Sequence, residues 1–106
     1  MEKITYNKLV RDRIPEIIKS AGKKCETRIL DESEFRTELK KKLLEEVNEF
    51  LESDEISEIA DILEVLESIV IDSGNNLNEV YAIKETKKKN RGGFEKKIFL
   101  KAVIEE

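Results

Sequence analysis

The chain has 106 residues, a length that suits one compact domain spanning residues 1–106. Charged residues make up 42% of it and apolar residues 39%, so we expect a small core and heavily charged helix faces. The net charge of -4 argues against nucleic-acid binding through charge. Because histidine is absent, histidine metal sites and Ser-His-Asp triads are excluded, and proton chemistry is left to carboxylates, Lys, Tyr or metal-bound water.

A single cysteine, Cys25, cannot form an internal disulfide, which is typical of a protein of the reducing cytoplasm. The chain has no apolar run of about 18 residues and no signal-peptide pattern. We therefore expect neither membrane insertion nor export.

The first half of the chain predicts a short helix, a strand and a long helix. The short helix covers residues 10–21, with Pro15 in its first turn and Gly22 as its stop. Residues 25–30 alternate between polar and apolar side chains and predict a strand. Asp31 followed by Glu34 has the form of a capping pair, so a long helix should begin there.

The second half predicts two more helices and a second strand. Ser53-Asp54 breaks the long helix, and the apolar stripe from Ile56 to Val70 predicts the next one, which ends at the turn 73–76. Asn76 with Glu79 should cap a helix that runs to about residue 88. Residues 96–103 predict a strand that pairs with 25–30. The fold class is therefore mainly α: an antiparallel helical bundle with a small two-stranded β ribbon.

Two acidic motifs lie inside the long helices: Glu45-Glu46-x-x-Glu49 and Glu58-x-x-Asp61. A spacing of three residues puts two carboxylates on nearly the same helix face. The short connection between the helices predicts antiparallel packing, which brings four of these acids together. Carboxylates that close repel one another unless a hard divalent cation lies among them. The pattern predicts Mg²⁺, with Mn²⁺ as the alternative, held by Glu46, Glu49, Glu58 and Asp61.

A helical wheel ranks the acids of the first motif. With about 100° per residue, Glu46 lies about 60° from Leu43 of the apolar stripe, and Glu49 lies about 120° round on the same side. Glu45 lies nearly opposite Leu43, towards solvent. An alternative remains open. Lys42 lies four residues before Glu46, and Lys–Glu pairs at this spacing commonly form ordinary ion pairs on a solvated helix face.

The chain resembles the MazG superfamily of all-α nucleoside triphosphate pyrophosphohydrolases. The resemblance rests on the two acidic motifs, on residues 6–16 (YNKLVRDRIPE) and on residues 91–96 (RGGFEK). The chain is most similar to the phosphoribosyl-ATP pyrophosphohydrolase-like branch. The eight residues between Glu49 and Glu58 form a shorter linker than many members have. The resemblance implies Mg²⁺-dependent hydrolysis of a nucleoside triphosphate between the α and β phosphates, in house-cleaning of non-standard nucleotides. It also implies a homodimer or homotetramer.

Within that mechanism, Glu45 and Glu46 are the candidates for the catalytic base. Basic side chains near both ends of the chain are the candidates for binding the substrate phosphates, since guanidinium and ammonium groups suit phosphate oxygens. These residues are Lys8, Arg11, Arg13, Lys87 and Arg91.

Two rival functions remain open on the sequence. One is a phosphoribosyl-ATP pyrophosphatase of histidine biosynthesis, which has the same chemistry and fold. The other is a helical oligomerisation or regulatory module without turnover. No segment predicts a base-specific or sugar-specific pocket.

Overall fold

The computed structural model describes residues 2–106, so Met1 of the predicted domain lies outside the described residues. Four helices follow one another: α1 (Ile14–Ser20), α2 (Glu32–Ser53), α3 (Ile56–Asp72) and α4 (Leu77–Arg91). The prediction of a mainly α protein is confirmed. Across residues 2–106, no helix combines the length and apolar character that crossing a membrane requires.

Side-chain caps determine where two of the helices begin. The Asp31 side chain accepts a hydrogen bond from the Glu34 backbone N–H at 2.8 Å, and the Glu34 side chain accepts one from the Asp31 N–H at 3.4 Å. Asn76 Oδ1 accepts from the Glu79 N–H at 2.9 Å. Each contact satisfies a backbone donor that the first turn leaves unpaired. Both predicted helix starts are confirmed.

Helix α1 is shorter than predicted, because it begins at Ile14 and not near residue 10. Pro15 lies in its first turn. A proline ring clashes with the carbonyl group four residues earlier, so a regular helix cannot extend back through Arg11. The segment before α1 therefore stays non-helical and is free to cross another part of the molecule.

A two-residue connection returns the chain from α2 to α3. Asp54 has a positive φ of 56°, and its N–H donates to the Phe50 carbonyl at 2.8 Å. The start of α2 lies beside the end of α3, where Arg36 Nε donates to Asp72 Oδ2 at 3.2 Å. Between the two helices lie Leu39, which is 3% exposed, and Val65, which is 8% exposed. Over residues 2–106 these are the only buried apolar side chains.

The predicted β ribbon is wrong. The structure has no strand between residues 2 and 106, and the segments 25–30 and 96–103 are both non-helical and unpaired. The only hydrogen bond between main-chain groups in residues 94–103 is a local turn from the Lys97 N–H to the Phe94 carbonyl. Alternating side chains indicate which face of a segment should be buried, but they do not supply a partner strand.

Helix α4 and the residues that follow it extend away from the α2–α3 pair. Within residues 2–106, α4 contacts α3 and no other helix. Every residue from 78 to 106 is exposed. The chain consequently measures 69 × 32 × 24 Å.

Candidate metal centre

The pairing of α2 with α3 brings the predicted acids together. Carboxylate oxygens of Glu45, Glu46 and Glu49 lie within 4.8 Å of one another, and so do those of Glu46, Glu58 and Asp61. Glu46 belongs to both groups and joins the two helices. The four predicted metal ligands and Glu45 thus form two overlapping groups that Glu46 joins, and neither group contains all four predicted ligands. We call these five residues the acidic cluster.

Glu46 is the central residue of this cluster. It is 7% exposed, and its Oε2 atom is buried without a hydrogen-bond partner. Its Oε1 atom lies 3.4 Å from Lys42 Nζ. Burial raises the pKa of Glu46, and the neighbouring Glu49 carboxylate raises it further, while Lys42 opposes the rise. Burial of an unpaired carboxylate oxygen is unfavourable unless a proton or a cation compensates it. The donor set therefore fits a hard divalent cation.

Glu45 has a different environment from its neighbour in sequence. Lys8 Nζ donates to Glu45 Oε1 at 2.7 Å, and Lys42 Nζ donates to Oε2 at 3.4 Å. The hydrogen bond from Lys8 is the main reason why the pKa of Glu45 is lowered. The pKa values of these adjacent carboxyl groups are thus shifted in opposite directions, that of Glu45 down and that of Glu46 up. The helical wheel put Glu45 towards solvent because it could not show that residue 8 covers it.

The segment before α1 contributes two cations to the cluster. Besides Lys8, Arg11 reaches it, and its guanidinium donates to Asp61 Oδ1 at 2.9 Å. Arg13 does not, since it pairs with Glu16 within its own helical turn at 3.1 Å. Two of the three predicted phosphate ligands near the start of the chain therefore lie at the acidic cluster.

The other two predicted phosphate ligands lie elsewhere in this chain. Lys87 and Arg91 line a shallow concavity on α4, together with Thr86 and Asn90. No contact joins α4 to α2 within residues 2–106. A single copy of the chain does not bring these two side chains to the acids of α2.

Lys42 has a larger role at the cluster than the sequence indicates. Its side chain is mostly buried, and its ammonium group lies 3.4 Å from carboxylate oxygens of both Glu45 and Glu46. The ion pair between Lys42 and Glu46 that the spacing allowed is therefore present, and Lys42 is a counter-ion of the cluster. The spacing of three and four residues from Lys42 to these acids was the available signal.

Comparison of the chain with protein-family models, curated proteins and solved structures found no match.

Proposed function

We propose that this protein is a Mg²⁺-dependent nucleoside triphosphate pyrophosphohydrolase that releases a nucleoside monophosphate and pyrophosphate. Its proposed role is the removal of non-standard nucleotides. The observation that carries the proposal is the buried, unpartnered Oε2 atom of Glu46, which lies among carboxylates of two helices. Basic side chains at the edge of the same cluster supply the groups that a polyphosphate needs.

The acidic residues have separate roles in this proposal. Glu46, Glu49, Glu58 and Asp61 would hold Mg²⁺, with Mn²⁺ as the alternative. When bound, the metal would supply charge neutralisation at phosphate oxygens and a bound water of lowered pKa. Glu45 and Glu46 remain the candidates for accepting the proton of the attacking water. In the metal-free chain Glu46 is the stronger base of the two, because its pKa is raised and that of Glu45 is lowered.

Lys8 and Arg11 neutralise the acids in the metal-free chain. Each is bonded to a carboxylate that belongs to, or adjoins, the proposed ligand set. A divalent cation would take over that neutralisation and free both side chains to bind substrate phosphate oxygens. Their position at the cluster supports this role for them more than for Arg13, Lys87 or Arg91.

The proposal also includes the finer points of the family resemblance. These are an antiparallel bundle, a homodimer or homotetramer, and a cytoplasmic location. Arg36 near the start of α2 contacts Asp72 at the end of α3, and Glu46 further along α2 lies close to Asp61, which comes earlier on α3. Residue numbers thus decrease along α3 as they increase along α2, which supports the antiparallel arrangement. A phosphoribosyl-ATP pyrophosphatase uses the same chemistry, so an assay of phosphoribosyl-ATP beside a panel of standard and oxidised triphosphates separates these substrates.

The direct test is pyrophosphate release by a Glu49→Gln variant in Mg²⁺. We expect the rate of pyrophosphate release to fall by at least about 100-fold. Mutation of a residue that only supports a metal ligand already lowers activity by about 10–100-fold. Glu52→Gln is the matched control, because this residue lies on the same helix, is exposed and is outside the acidic cluster. The control should retain full turnover. Full turnover in Glu49→Gln would contradict the mechanism.

A second measurement separates the enzyme from a non-catalytic module. The wild-type protein should show a Mg²⁺-dependent or Mn²⁺-dependent rise in Tm, and Asp61→Asn should abolish it. A wild-type protein whose Tm ignores both metals would contradict the metal centre itself.

A further inference from the structure

The last part of the chain is an arm without a core of its own. We call residues 78–106, which comprise most of α4 and the segment after it, the C-terminal arm. None of its residues is buried, and Phe94 is 97% exposed. An isolated helix of the length of α4, 15 residues, is only marginally stable in water. The arm nevertheless carries a row of large apolar side chains after α4, all of them exposed: Phe94, Ile98, Phe99, Leu100, Val103 and Ile104.

A second apolar surface lies on the α2–α3 pair. The two helices bury little between them, and each keeps large side chains in contact with solvent. These residues are Leu44, Leu51, Ile56, Leu63, Leu66 and Ile71. The chain therefore has two unpartnered apolar surfaces, one on the arm and one on the helix pair.

The chain exposes much more surface than a compact monomer of its mass. The chain exposes 10146 Å², whereas a compact monomer of its mass exposes about 6,100 Å². Its radius of gyration is 19.2 Å, against about 13 Å for a compact domain of this length. The excess of about 4,000 Å² is several times the roughly 800 Å² that each partner buries in an ordinary stable interface.

The charges of the two surfaces are complementary. Residues 31–72, which contain the helix pair, have 15 acidic and four basic side chains. Residues 78–106 have eight basic and five acidic side chains. An acidic surface and a basic arm attract each other and repel their own kind. One chain thus carries both halves of a complementary pair, which makes a second copy of the same chain a fitting partner.

We propose that two copies of this chain form a dimer by exchanging arms, so that the C-terminal arm of each packs on the α2–α3 surface of the other. A reciprocal exchange is a closed two-fold arrangement, which uses both surfaces once and leaves neither open for further growth. It covers the apolar side chains of the arm and of the helix pair in one step. The dimer is then the smallest unit with a core of ordinary size.

The first measurement is the mass of the full-length protein in solution, by size-exclusion chromatography with light scattering. The expected mass is twice the chain mass of 12.3 kDa. A monomeric mass overturns the proposal, whether the arm stays extended or folds back on its own helices. The readout needs neither metal nor substrate, so its failure is distinct from failure of the proposed enzyme.

The second measurement compares Ile98→Asp with Ala102→Asp. Both variants add one negative charge to the same exposed segment, but only the first removes a large apolar side chain. Ile98→Asp should shift the mass to that of one chain, while Ala102→Asp should stay dimeric. A dimer that survives Ile98→Asp overturns the role of the arm. Equal dissociation of both variants shows that apolar docking does not hold the dimer and overturns the proposal as well.

A third measurement on the wild-type chain covers the case in which Ile98→Asp does not fold. Amide hydrogen exchange is followed across a dilution series that separates the dimer. In an arm exchange, the amides of residues 94–104 lose protection in step with the loss of dimer. Protection of these amides that does not change on dilution means that each arm is held within its own chain, and the exchange is then excluded.

Discussion

At the scale of single residues, the candidate site depends on where one carboxylate lies. Glu46 is the acid that two helices share, and its burial explains both its unpartnered oxygen and its raised pKa. Glu45, one position earlier, is partly exposed and has a lowered pKa because Lys8 reaches it. Two neighbouring residues of the same type thus differ in chemistry because of their surroundings alone.

We predict that Glu46→Gln stabilises the metal-free protein at neutral pH. The pKa of Glu46 is raised in the folded chain, so the unfolded chain loses its proton first as pH rises above about 4.5. The protonated Glu46 side chain therefore contributes to the free energy of unfolding below that pH. This contribution is lost as the pH rises through the pKa of Glu46 in the folded chain. Glutamine, which does not ionise, removes this loss.

The measurement is urea unfolding in a chelator at pH 4 and pH 7. Glu46→Gln should be more stable than the wild type at pH 7, with a smaller difference at pH 4. It should also lose the Mg²⁺-dependent rise in Tm. Glu52→Gln, on the exposed part of α2, should match the wild type at both pH values. A wild-type protein that is the more stable of the two at pH 7 without metal would contradict the prediction.

We predict that Arg11→Ala and Arg13→Ala differ in their effect on nucleotide binding. Arg11 lies at the acidic cluster, bonded to Asp61, whereas Arg13 is paired with Glu16 on α1. Loss of a charge-assisted hydrogen bond from Arg11 to a substrate phosphate should cost about 1.5–3 kcal/mol of binding free energy. Arg11→Ala should therefore raise KM by about 10-fold to 100-fold. Arg13→Ala should leave KM near the wild-type value. Steady-state pyrophosphate release gives the KM of both variants. Equal changes in KM would contradict a specific role of Arg11 in binding the nucleotide.

At the scale of elements, local chemistry decides where helices begin. Asp31 and Asn76 accept hydrogen bonds from backbone donors of the first turns of α2 and α4, as their sequence spacing predicts. For a strand, no local signal of this kind is sufficient. The segments 25–30 and 96–103 alternate as strands do, yet neither meets a partner within residues 2–106. Strand pairing needs a second edge, and its formation depends on the whole arrangement.

We predict that Asp31→Ala lowers the free energy of unfolding by about 1 kcal/mol, the usual value of an N-cap side chain. Asp31 Oδ1 accepts from the Glu34 N–H at 2.8 Å, and alanine leaves this donor unpaired by any side chain. Chemical denaturation at pH 7 measures the change. Asp31→Asn should retain most of the stability, because asparagine caps about as well. Equal losses for Ala and Asn would point to the charge and not to the cap.

At the scale of the whole molecule, the described chain exposes far more surface than its mass requires. Two buried apolar residues are too few to hold 106 residues together, since they offset only a small part of the entropy lost on folding. The exchange of arms supplies the missing contact. The acids of the metal centre belong to the same α2–α3 pair.

We predict that small-angle X-ray scattering of the dimer gives a radius of gyration of at least 19.2 Å. A dimer that keeps this chain conformation cannot have a smaller value, because any separation of the two centres of mass adds to it. An arm that folds back on its own helices would give a compact monomer near 13 Å. A value near that of the compact monomer, with the mass of one chain, would contradict the exchange.

The sequence by itself determined the helical class, the starts of α2 and α4, and the presence of paired acids on consecutive helices. These features depend on spacing and capping, which act over three or four residues and can be read along the chain. Only the tertiary structure decided that Glu46 is the buried acid, that Lys8 and Arg11 reach the cluster while Arg13 does not, and that the two alternating segments do not pair as strands. Burial and ion pairs between distant residues arise from packing in three dimensions, which local spacing does not specify.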